Sequence, residues 1–263
     1  MQTVVVSAGA LLMLALPARA VVRLRRRGRP QAAPASRLLL AALAAGVTLA
    51  ALPALDGYAD SLLAAHMLQH VLIGDLVPLL LVLAVRGPVR AHLLPAPLVR
   101  AARRLRLHRL LGVAVRPAPA LALWAVSLAV WHVPAAYDRA LADERLHAFE
   151  HGCFFVAGLV VWSALLGRRL RGWRRVGYAL SLLAASSVLA NVLVLSYRPL
   201  YPSYEGPEAR PLALSPLSDQ DLAAVTMMLE QLATLGTFAA LAARRELAGA
   251  AGVEPPRRHP LAA

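Results

Sequence analysis

The feature that most restricts this chain is the alternation of long apolar runs with short clusters of arginine. Runs of about 20 residues with few charges have no polar face to turn to water, so they read as membrane spans and not as helices of a soluble core. With 263 residues and 59% hydrophobic content the chain has room for about seven of them joined by short connections. The expected fold is therefore all-α, a polytopic integral membrane bundle. The spans fall at about 3–22, 37–55, 61–85, 117–134, 147–167, 175–197 and 220–243, forming one membrane domain over 1–245. Residues 246–263 read as a disordered cytoplasmic tail.

Arginine fixes the expected orientation. The chain has 28 basic residues and none is Lys, which excludes Schiff-base chemistry such as retinal attachment. The segments 19–37, 86–116 and 168–175 and the tail from Arg244 hold 24 of those 28, in every second connection. The other connections carry only Arg139, Arg145, Arg198 and Arg210, together with most of the acids, including Asp56, Asp60, Asp138 and Asp219. The positive-inside rule then places the N-terminus outside and the C-terminus in the cytoplasm, in the plasma membrane. A net charge of +14 would suggest nucleic acid in a soluble protein, but here the charge marks topology, and no nucleic-acid partner is expected. The N-terminal run lacks preceding basic residues and is followed by Arg23, Arg25, Arg26 and Arg27, so it reads as a first span and not a signal peptide.

The stretch 97–111 is basic, amphipathic and too charged to span, which suits an interfacial helix on anionic membrane lipids. Pro78 inside the third span removes a helical donor and frees the carbonyl of Gly74 for another partner. The Pro-rich segment 198–218 reads as ordered coil on the outer side, and Ser218 with Asp221 as a capping box opening the last helix.

The chemistry concentrates in histidine. His66, His70, His132, His147 and His151 lie in or beside spans, each at the outer end of its helix. In the third span His66 lies about 7 Å and His70 about 14 Å below the start, at ~1.5 Å per residue. His66/His70 and His147/His151 are both i, i+4 pairs, so each pair shares a helix face and is able to converge on one ion at ~2.0–2.1 Å. One intramembrane histidine is ordinarily a packing hydrogen bond, but five in one layer from three helices point to a metal site. Met227, like Met67 and Met228, offers a thioether suited to Cu(I), and Asp219 with Gln220 and Asp221 stands where it is able to join the site or orient an imidazole. Copper is the first choice of metal, with zinc or haem as alternatives.

Other candidates read differently. Asp75 and Glu230 lie deeper, where a charge is expensive, and suit either a proton or ion path or an interhelical hydrogen bond. Asp75 stands ~140° from His70 on an ideal helix, off the histidine face. Cys153, the single cysteine, reads as core and excludes an internal disulfide. His92, His108 and His259 read as cytoplasmic, and Ser186, Ser187 and Asn191 as packing groups.

Taken together, HMLQH at 66–70, WHVPAAYD at 131–138, LHAFEH at 146–151 and LSPLSDQ at 214–220 followed by Met227 resemble the polytopic CtaG family of cytochrome c oxidase assembly factors. That family is distinct from the single-span copper chaperone that sometimes shares its name. The resemblance spans about residues 60–230. It implies a seven-helix, non-enzymatic protein that assists maturation of a caa3-type haem–copper oxidase, with oxidase subunits as partners and copper as cargo. The matching positions are His66, His70, His132, His147, His151, Asp219, Gln220 and Met227. The chain departs from the pattern after Met227, where a Trp and a Pro-Gly stretch are expected and Met228-Leu229-Glu230-Gln231 stand instead. The competing expectations are a zinc-dependent membrane hydrolase with Asp219 or Asp221 as base, and a haem-bearing electron carrier.

Overall fold

The computed structural model describes residues 2–206 and 213–251, and among these every regular element is helical. Helix α1 (Gln2–Arg26) pairs with α2 (Ser36–Gly46), which passes through a π-helical turn (Val47–Ala51) into α3 (Leu52–Ala59). Helix α4 (Leu63–Val71) likewise continues through a π turn (Leu72–Leu76) into α5 (Val77–Ala84). Three short helices follow, α6 (Pro88–Ala91), α7 (Ala96–Arg104) and α8 (Leu107–Ala114), and then α9 (Pro117–Trp131), α10 (Pro134–Ala142), α11 (Glu144–Leu165) and α12 (Trp173–Val194). The described chain closes with α13 (Pro216–Gln231), a third π turn (Leu232–Gly236) and α14 (Thr237–Ala250).

Six of these helical stretches are long and apolar enough to cross a membrane, and a seventh results if α8 and α9, bent by 81°, count as one span. The chain is thus a multi-pass membrane protein. The expected fourth span at 117–134 is the exception to a run of full-length helices. It holds 15 residues, about 22 Å at ~1.5 Å per residue, short of the ~30 Å hydrocarbon core. The interfacial stretch expected over 97–111 is two helices, broken where Arg106 adopts a left-handed φ of 56°. Leu98, Leu105, Leu107, Leu110 and Leu111 are exposed along it. The last helix begins at Pro216, with Ser215 as its cap accepting from the Ser218 N–H. The expected Ser218–Asp221 box is therefore corrected by one turn, because Pro is suited to the first helical position and the chain can enter there. Helix α14 runs on to Ala250, past the expected domain limit of 245, and the remainder of the expected tail, from 252, lies outside the described residues.

Small residues set the packing. Ala20, Ala41, Ala44, Ala120, Ala179, Ala223 and Ala224 are fully buried, whereas Leu39, Leu43, Val126, Val188 and Leu229 stand exposed on the helices. In lipid there is no hydrophobic gain from hiding a leucine, so close approach of backbones through small side chains is what holds spans together. Helix α13 packs on α4, α11 on α9, and α11 on the α4–α5 unit at its π turn. At that last contact the backbones nearly touch, with a Cβ built on Gly158 falling 2.0 Å from the Gly74 carbonyl oxygen. Pro78 lacks the N–H that would have bonded that carbonyl, so the freed oxygen is turned to the neighbouring helix.

Candidate metal centre

Helix α11 packs on the π turn and α5 that continue α4, and α4 and α11 each carry a histidine pair one turn apart whose rings meet above that contact. His66, His70, His147 and His151 each present a ring nitrogen, and the four atoms lie within 4.8 Å of one another. His66 Nε2 and His70 Nε2 lie 3.0 Å apart. Ring centroids are 4.2 Å apart for His147 and His151 and 5.0 Å for His66 and His147. Two nitrogens at ~2.0–2.1 Å from one ion are at most about 4.2 Å apart, so a separation at the upper limit closes by about 0.6 Å on binding. The donor chemistry fits a first-row transition metal, since imidazole suits copper, zinc, iron and nickel.

The network around His66 assigns its tautomer. Burial holds the phenols of Tyr137, Tyr201 and Tyr204 above the ordinary tyrosine range, so they remain protonated. Tyr204 donates its single proton to the Ala59 carbonyl at 2.9 Å, and its oxygen lies 3.1 Å from His66 Nδ1. That nitrogen must therefore donate, which leaves Nε2 as a bare lone pair facing the centre. His132 is arranged the same way, with Nδ1 donating to the Leu128 carbonyl at 2.8 Å and Nε2 buried without a partner. His147 Nε2, His151 Nε2 and His70 Nδ1 are also buried and without hydrogen-bond partners. Buried polar atoms are rarely left so, and their gathering here is what a ligand-binding site looks like.

His132 stands beside the four and not among them, its ring 6.0 Å from that of His70. Met227, 7% exposed, lines with His70 and His132 a cavity of about 60 Å³ that also reaches Asp75 and Gln231. Met67 is wholly buried in the apolar cluster with Leu63 and Tyr137. Cys153 packs against Trp131 and Phe154. On its other side His151 lines a wider cleft of about 460 Å³, with Asp56, Gln69, Glu144 and Arg145 along its wall.

Asp219 has a different use from the expected one. Its two carboxylate oxygens accept the backbone N–H groups of Leu63 (2.8 Å) and Ala64 (3.0 Å), capping the helix that bears His66 and His70. Leu62, at the cap position of that helix, offers no side-chain oxygen of its own. Gln220 accepts from the Leu200 N–H and donates to the Leu193 and Arg198 carbonyls, anchoring the segment that carries Tyr201 and Tyr204. The SDQ motif thus holds the supports of the histidines. Asp219→Ala orphans two buried amides and is expected to cost about 2–6 kcal/mol at ~1–3 kcal/mol each, read as a lower unfolding midpoint in detergent. Asp219→Asn, which keeps one acceptor oxygen, should lose about half as much.

Glu150 is the residue that sequence reasoning passed over. It is 1% exposed, and its Oε1 lies 3.7 Å from His70 Nε2 with no hydrogen-bond partner. The available signal was a carboxylate three residues after His147 and one before His151, at a depth where an uncompensated charge is costly. Placed there, it is the one carboxylate among the described residues within 4 Å of a histidine of the cluster.

No curated protein and no solved structure matches the chain. A model of one family matches residues 15–247, and by that match the protein belongs to the cytochrome c oxidase caa3 assembly factor family (Caa3_CtaG).

Proposed function

We propose that this protein binds copper through His66, His70, His147 and His151 and passes it to a subunit of the oxidase it helps to assemble, without catalysing a reaction. The convergence of four ring nitrogens within 4.8 Å carries the reading. Glu150 balances the charge of the cargo, His132 and Met227 stand ready as transient donors beside His70, and Asp219 acts by capping α4. The arginine distribution favours an extracytoplasmic site in the plasma membrane. Transfer needs an approach for the accepting protein, and the cleft lined by His151 is suited to it.

The alternatives fit less well. His66 Nε2 and His70 Nε2 stand 3.0 Å apart, with no space between them for a macrocycle. For the hydrolase reading, Asp219 is a poor base on bound water, since both its oxygens accept backbone amides. Deletion of the protein under limiting copper should lower caa3 oxidase activity and the copper content of the purified oxidase while its polypeptides persist in the membrane. Full copper occupancy in the deletion strain would overturn the delivery role.

A further inference from the structure

Beneath the histidines lies a second polar group that the metal reading does not use. Asp75, in the π turn after α4, is 8% exposed. It accepts from the Trp162 indole N–H of α11, from Thr234 Oγ1 at 2.6 Å, and from Gln231 Nε2 at 3.4 Å. The same Gln231 amide donates to Glu230 Oε2 at 3.1 Å, so the two carboxyl groups share one donor. Asp75 and Thr234 both lie in π turns, in the third and last spans. Such turns widen a helix locally and are frequent at functional sites.

Two carboxylates this close inside a span cannot both be ionised without a compensating cation. Among the described residues no arginine lies within ion-pair distance of either. The donors are unequal. Asp75 faces Trp162, Thr234 and Gln231, of which the Thr234 hydroxyl also lies 3.2 Å from the Glu230 carbonyl, whereas Glu230 Oε1 is buried with no partner, the place for a proton. Gln231 adds an independent sign of a missing ligand. It is 8% exposed, its Oε1 has no partner, and it lines the cavity of about 60 Å³ that joins Asp75 to His70 and His132. The cavity has room for water beside Asp75, His70 and Gln231, and the partnerless amide oxygen is a group such water would donate to. The titratable groups around this space are His70 from α4 and His132 from the end of α9. Trp162, Ser186 and Ser187 face it as uncharged groups, and Tyr178 belongs to the apolar cluster around Trp162.

We propose that Asp75 and Glu230 form an intramembrane proton-binding site that holds one proton, on Glu230, and exchanges it by way of Asp75 through the cavity that Asp75 lines with His70 and His132. The site stands on its own geometry and does not depend on which cargo the histidines carry.

Infrared spectroscopy of the metal-free protein in lipid nanodiscs at neutral pH tests it. The wild-type spectrum should contain the C=O band of a protonated carboxylic acid that is missing from Glu230→Gln and from Asp75→Asn/Glu230→Gln, and kept at a shifted frequency in Asp75→Asn. Glu150 is present in all four proteins and cancels in the differences. A wild-type minus E230Q spectrum without that band overturns the proposal. So does a band that appears only after sodium is replaced by a bulky organic cation, which would make the pair a cation site. Ser187→Leu, which narrows the cavity, should slow the deuterium exchange of the band severalfold, the band itself showing that the pair is intact. An unchanged rate would overturn the exchange route.

Discussion

His66→Ala/His70→Ala should abolish copper retention, with metal content per protein falling to background and affinity dropping by more than about 100-fold. Loss of an outer partner of a metal ligand alone costs about 10–100-fold, and here two ligands themselves are removed. The two imidazoles are the best-ordered half of the centre. Their Nε2 atoms lie 3.0 Å apart, and one is fixed in its tautomer by Tyr204. His147 and His151 are only partly buried and complete the set from the neighbouring helix. The check is metal analysis of wild type and variant purified side by side, with helical content confirming the fold. Equal copper in the two would remove the ligand assignment.

The histidine pairs were legible because the α-helical period is a local property: four residues apart means one face, wherever the helix lies. The alternating arginine clusters were legible for the same reason, since they follow from the order of segments alone. What escaped depends on contacts distant in sequence. Asp219 reads in sequence as a ligand or a group orienting an imidazole, and in the structure it caps α4, across 156 positions of sequence. Asp75 was placed on another face from His70 by counting 100° per residue, and it stays outside the group of four. The π turn over Leu72–Leu76 changes that count, so both residues line one cavity. Pro53 and Pro78, each two residues past a π turn, are its local trace, but the turn's effect on which side chains meet depends on what packs against the helix. The same holds for α9, whose apolar run continues through His132 and Val133 until Pro134 opens a new helix.

Gly158→Ala should be the most damaging glycine-to-alanine change among the described residues. The new Cβ falls 2.0 Å from the Gly74 carbonyl oxygen and 2.9 Å from Pro78 Cγ. Neither is the end of a flexible side chain, so the helices themselves must part by about 1.4 Å to restore the ordinary contact of 3.4 Å. Overpacking of this kind costs about 1–3 kcal/mol when side chains give way, and backbone against backbone belongs at the upper end. The unfolding midpoint should fall by about 6–12 °C, at roughly 2–4 °C per kcal/mol. The same movement reaches the centre. Gly74 lies one turn after His70 and Gly158 two turns after His151, on the faces that bring the histidine pairs together. Parting α11 from the π turn that continues α4 therefore widens the gap between the pairs, and copper affinity should fall by about 10–100-fold, as for loss of a ligand's support. Gly152→Ala is the control. It lies beside His151 on the same helix, a Cβ there meets nothing within 4 Å, and both stability and copper content should remain those of the wild type.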